Sequence, residues 1–124
     1  MTKIDAFAHI HPPDYSRRVR AVLARDHDAR ALEEWDIMLR EDPALIDLEA
    51  RWHSMERFDD YVQILVPGSP AIESLGSPPE VAMLARELND ELAALVSAHP
   101  DRFAGFAAAL PVSDVELAVT ELER

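Results

Sequence analysis

The sequence predicts an α/β fold of parallel strands joined by right-handed crossovers. Three observations carry that expectation. Strand-like and helix-like segments alternate along the chain, the first strand segment ends at a proline pair just after two histidines, and the third is apolar almost throughout. A chain of 124 residues with 48% hydrophobic and 29% charged residues is one folding unit or part of one. A domain of this size buries roughly two-thirds of the surface its unfolded form exposes.

Residues 3–11 form the first strand. Ile4, Ala6, Ala8 and Ile10 alternate with Asp5, Phe7, His9 and His11, the period of two that a half-buried strand shows. Pro12 and Pro13 stop it, because proline supplies no backbone donor and restricts the residue before it. Residues 14–46 are charged and helix-prone and read as an insertion after strand 1. A helix over 47–59 follows from Leu48, Trp52, Met55 and Phe58 at helical spacing, with Asp47 as its cap.

Strand 2, residues 62–66, is a β-branched run halted by Pro67 and Gly68. It reads as a buried strand that feeds a Gly, Ser and Pro loop. A proline-initiated helix over 79–99 carries Val81, Leu84, Ala85, Leu88, Leu92, Leu95 and Val96. Strand 3, residues 102–110, is apolar enough to be buried on both faces. A last helix over 114–124, capped by Ser113 or Asp114, stripes Val115, Ala118, Val119 and Leu122 along one side. Such an order fits a small three-stranded α/β domain or a larger fold cut short. The unpaired edges that three parallel strands leave favour the second.

Composition narrows the function. No stretch approaches the ~18 uninterrupted apolar residues of a membrane span. The start of the chain lacks a signal-peptide pattern, so a cytoplasmic protein is expected. The absence of cysteine removes disulfides, thiolate nucleophiles and Cys-type metal sites. With 24 acidic against 12 basic residues the net charge is -12, which repels phosphate backbones and anionic lipid, so neither nucleic acid nor membrane is an expected partner.

The candidate chemistry lies in His9 and His11. Two histidines two apart at the C-terminal end of a parallel strand leave one face and can converge on an ion, at the end of the sheet where such folds bind ligands. A zinc or similar divalent ion held there would acidify its bound water. Surface or hydrogen-bonded histidines are the alternative. His27 in its charged stretch reads as solvated, and His53 and His99 read as structural. Asp5 could orient a ligand histidine or serve as a satisfied structural carboxylate. Ser69 and Ser74 flank no nucleophile elbow. Gly68 and Ser69, in the loop after strand 2, are candidate substrate contacts.

The run from Ile4 to Tyr15, with His9, Ile10, His11, Pro12 and Pro13 in it, resembles the first strand of the amidohydrolase-related family, which includes aminocarboxymuconate-semialdehyde and resorcylate decarboxylases. Met55 to Phe58, Val62 to Leu65, Leu88 to Asp90, His99 to Pro111 and Glu116 to Val119 resemble that family in the right order. The resemblance covers most of the chain outside residues 16–46. It implies the first three β/α units of a (β/α)8 TIM-like barrel, with the insertion able to cover the active-site mouth. It also implies a divalent metal, zinc in the first instance and manganese as the alternative.

The parent protein is then expected to be a hydrolase or carboxy-lyase acting on a small carboxylated substrate. Counting from Ile4, the family's usual first-strand ligand pair falls on Phe7 and His9. Phe7 cannot bind metal. Either His9 and His11 form a shifted pair, or His9 acts alone and Phe7 fills the barrel floor. The family's remaining ligands and its catalytic acid or base, typically a His and an Asp, come from later strands, so this chain alone is expected to be inactive. The competing expectation is a non-catalytic, truncated or degenerate barrel fragment that self-associates through its open strand edge. A homo-oligomer is expected.

Overall fold

The computed structural model describes residues 1–26 and 29–124. The solvated reading of His27 lies outside the described residues. The elements are β1 (Lys3–Ile10), α1 (Pro13–Asp26), α2 (Ala29–Glu41), a 3-10 turn (Pro43–Leu45), α3 (Leu48–Met55), β2 (Tyr61–Pro67), a second 3-10 turn (Ile72–Leu75), α4 (Pro78–Ala98), β3 (Phe103–Phe106) and α5 (Val115–Glu123). The three strands form one parallel sheet in the order β1-β2-β3. The α/β class expected from the alternation of segments is therefore the observed one.

The helices start where local chemistry places them. Asp47 accepts from the Glu49 and Ala50 amides and opens α3. Ser77 and Glu80 form a capping box ahead of α4, with proline in its first turn. Asp114, rather than Ser113, accepts from Leu117 N and opens α5. The N-terminus of α1 is capped from another helix. Glu91 of α4 accepts from Asp14 N at 3.1 Å and Tyr15 N at 2.7 Å, which supplies orphan donors of the first turn with an acceptor and fastens α1 to α4.

One core fills the helix side of the sheet. Leu65 of β2 and Phe103 of β3 pack with Val81, Leu84, Leu88 and Leu92 of α4. Tyr15, Val19, Leu23 and Trp35 from the segment after β1 belong to the same cluster, so that insertion completes the core as well as adding to it.

Four local expectations change. The register slips between Asp5 and Ala8, where a β-bulge interrupts the ladder. Ala8 and Ile10 are buried, but Ile4 is 59% exposed, so strict alternation through β1 does not hold. The helix predicted over 47–59 stops at Met55 and leaves Phe58 exposed beyond it. The predicted third strand is regular only over Phe103–Phe106, with backbone bonds to β2 reaching Arg102 and Ala107 on either side, and Ala104, Ala107 and Ala108 are exposed. The apolar run therefore faces open space on one side instead of being buried on both. No residue of α5 is buried, and Val115, Val119 and Leu122 are exposed.

Candidate functional site

His9 and His11 stand at the C-terminal end of β1 in different surroundings. The shared-face geometry requires the strand to continue through both, and it stops at Ile10. His9 is exposed, its ring edge-on to that of Phe7 at 4.8 Å between centroids. Phe7 is 69% exposed in this chain. His11 is 1% exposed, with its ring edge-on to Trp35 of α2 at 4.8 Å. Burial, helped by the charges of His9 and Arg51, lowers its pKa to about 4, so the imidazole is neutral near pH 7. Among the described residues, His11 Nδ1 is buried without a hydrogen-bond partner, as is Trp35 Nε1.

Gly68 meets His11 directly. A Cβ built on Gly68 would lie 2.6 Å from Nε2 and 2.7 Å from Cε1 of the imidazole, so glycine there lets the β2 loop close on the ring. Gly68→Ala is expected to destabilise the protein by about 1–3 kcal/mol through overpacking. Denaturant unfolding should show the penalty largely relieved in a His11→Ala background, where the clash partner is gone. Penalties that simply added would place the cost elsewhere.

Two cavities are lined by neighbours of these residues. One of about 450 Å³ is lined by Leu23, Trp35, Met38, Ser69, Pro70 and Ser74. The other, of about 370 Å³, is bordered by Asp5, Phe7, His9, Asp42, Arg51 and Tyr61. The structure thus brings Gly68 to His11 but puts Ser69 and His9 on different cavities. His53 is exposed, and His99 packs edge-on to Trp52 at 5.1 Å.

Asp5 accepts from Phe7 N at 3.1 Å and from the Tyr61 hydroxyl at 2.9 Å. Arg51, which the sequence reading passed over, is 4% exposed and reaches the same region from α3. Its Nη1 donates to Gln63 Oε1 at 2.7 Å, its Nε to Ala44 O at 3.0 Å, and its Nη2 to the carbonyl of His9. Burial lowers the pKa of this guanidinium, opposed by the charges of Asp42, Tyr61 and Asp5. A signal for it was present: Arg51 falls between Leu48 and Met55 at helical spacing, a charge on an otherwise apolar stripe.

Imidazole nitrogens are suitable donors for a first-row divalent ion. Among the described residues, however, no three His, Asp or Glu side chains gather to hold one, and a catalytic site ordinarily takes three protein ligands. The exposed His9 and the buried His11 do not make up such a set by themselves. No helix among the described residues is long and apolar enough to cross a membrane.

No family model matches the chain. Gamma-resorcylate decarboxylase of Polaromonas sp. strain JS666 is 40% identical over 81 residues, 64% of this chain and 24% of that protein. The enzyme of the same name from Rhodococcus jostii is 36% identical over the same extent. The chain thus spans about a quarter of the length of the curated relatives it matches.

The crystal structure of dihydroxybenzoic acid decarboxylase from Polaromonas sp. JS666, with bound manganese and the inhibitor 2-nitroresorcinol, superposes on 99% of this chain. The TM-score is 0.71 and the identity 32%, over 34% of that protein. A 2,6-dihydroxybenzoate decarboxylase from Rhizobium matches with a TM-score of 0.67 and 25% identity over 100% of this chain and 34% of its own. These neighbours are TIM barrels, and the three parallel strands correspond to part of one. The chain is thus similar, in sequence and in fold, to resorcylate and dihydroxybenzoate decarboxylases over about a quarter to a third of their length.

Proposed function

We propose that this chain forms the His9-bearing part of a divalent-metal-dependent carboxy-lyase acting on a small carboxylated substrate, with hydrolysis as the alternative chemistry. The observation that carries this reading is backbone agreement over 99% of the chain with a manganese-bound decarboxylase at 32% identity, together with His9 at the C-terminal end of β1. A divalent ion in such a site grips substrate oxygens or activates water. This chain's own contribution is one exposed imidazole on the open side of the sheet, with the buried, neutral His11 behind it against Gly68. Gly68 and Ser69 remain the proposed substrate contacts, at the same end of the sheet.

Manganese is the first ion to try, because the neighbour binds it, and zinc is the second. Mn2+ added in rising substoichiometric amounts is expected to broaden the ring resonances of His9 before those of His53 and His99 in a histidine-resolved NMR spectrum. His9→Ala should abolish the preferred site. Equal broadening of every histidine would overturn the reading.

A second reading, a self-associating α/β module, is favoured by exposed Ile4 and Phe7 beside the half-buried Val62, Ile64 and Val66. An apolar sheet face with unpaired edges templates further association. Light scattering on the purified chain should show dimers or larger species, and a monodisperse monomer would sink this reading.

A further inference from the structure

We propose that Arg51, Gln63, Tyr61 and Asp5 form a positioning network for His9 that holds the β1 bulge and thereby aims the imidazole at the open side of the sheet. The proposal rests on the reading of His9 as a metal ligand, but its geometric content can be tested separately.

The network is a continuous chain of hydrogen bonds across the bulge. Asp5 Oδ1 accepts from Phe7 N, inside the slipped register, and Asp5 Oδ2 accepts from the Tyr61 hydroxyl. That hydroxyl in turn accepts from Gln63 Nε2 at 3.2 Å, and Gln63 Oε1 accepts from Arg51 Nη1 at 2.7 Å. Arg51 closes the circuit on the carbonyl of His9, on the far side of the bulge. Its Nε also ties in Ala44 of the turn before α3.

The consequence follows from strand geometry. Asp5 pairs with Gln63, Ala8 with Leu65 and Ile10 with Pro67, so Asp5, Ala8 and Ile10 share the helix side of the sheet. Unbroken alternation from Asp5 would instead send Phe7 and His9 into the helix side and turn Ala8 and Ile10 outward, because a slip of one residue exchanges the faces. The bulge is what buries Ile10 and exposes His9. An extra residue in a strand leaves backbone groups outside the ladder. Here an Asp carboxylate takes the Phe7 amide inside the bulge, and just past it, in this edge strand, a guanidinium takes the His9 carbonyl. A buried Arg whose acceptors are two carbonyls and an amide oxygen spends its fork on backbone placement.

The test uses the full chain and two conservative variants. Arg51→Lys keeps the charge and loses the fork. Tyr61→Phe keeps the ring and loses only the hydroxyl that joins Asp5 to Gln63. In the wild type, the edge-on Phe7 ring shifts the His9 ring protons, and a Phe7→Leu spectrum calibrates that shift. Both variants are expected to lose most of it, while the His11 signals, set by Trp35, stay in place as a control for folding. Mn2+ broadening of His9 should need about tenfold more ion, as is usual when a group that orients a ligand is removed.

Variants that keep the His9 shift and its Mn2+ response would overturn the proposal. Loss of the shift in the variants, with no Mn2+ response in the wild type, would support positioning and refute the metal reading. Should Arg51→Lys fail to fold, Tyr61→Phe alone decides, since it removes one oxygen from a half-buried ring.

Discussion

Lowering the pH from 7 to 4 in the presence of a chelator is expected to cost the protein on the order of 3 kcal/mol of stability through His11 alone, at 1.36 kcal/mol per unit of pKa difference. The folded-state pKa is about 4, against about 6.5 for an unperturbed histidine, because burial beside Trp35 and Gly68 penalises the imidazolium. The unfolded chain therefore takes up a proton first as the pH falls. Stability is complete above about pH 6.5, declines through the interval down to about 4, and His11 contributes no further loss below that. Glu80 and Glu121 have lowered pKa values through their hydrogen bonds to Ser77 and Arg124, so what they contribute disappears only as the pH falls below the usual glutamate range. Glu91 works in the opposite sense, since burial raises its pKa and the folded state binds that proton first. Urea titrations at pH 7, 6 and 5 on the wild type and on His11→Phe isolate the effect. The variant should lose most of the slope over this interval, and equal slopes would mean that His11 does not carry it.

Arg51→Met is expected to destabilise the protein by about 2–4 kcal/mol, and to lower its melting temperature by on the order of 10 °C. Three acceptors, His9 O, Ala44 O and Gln63 Oε1, lose their donor together. A buried acceptor left unsatisfied costs about 1–3 kcal/mol. The sum is reduced because Arg51 itself is desolvated, which its lowered pKa records, so removing it recovers part of that penalty. Differential scanning calorimetry would check the size. A loss below about 0.5 kcal/mol, the range of a surface substitution, would mean that water replaces the guanidinium at little cost. The exposed pair Arg30–Glu34 is a suitable comparison, because an i,i+4 bridge in solvent contributes at most a few tenths of a kcal/mol.

The alternation of strand-like and helix-like segments, the proline stops after His11 and at Pro67, the proline start of α4, the cap Asp47 and the choice between Ser113 and Asp114 as the cap of α5 were legible along the chain, because each depends on neighbours within a turn or two. The α/β class follows from that order, and so does the place of His9 at the C-terminal end of the first strand. The family resemblance was legible for the same reason, being a matter of short runs in order.

Only the tertiary structure decided the rest. A bulge is a mismatch between two strands, so the alternation Ile4, Ala6, Ala8, Ile10 gave no warning that β1 changes phase before Ala8. The burial of His11 depends on Trp35 and Gly68, which lie far from it along the chain. The ring that Trp35 packs against is the candidate site's second histidine. Arg51 sits on an apolar stripe where a local reading skips a charge, and its acceptors come from β1, β2 and a turn. The apolarity of residues 102–110 and of α5 suggested burial, yet Ala104, Ala107, Val115 and Leu122 are exposed. Hydrophobic pattern states what a segment can bury, and only the arrangement of the other elements determines whether anything covers it.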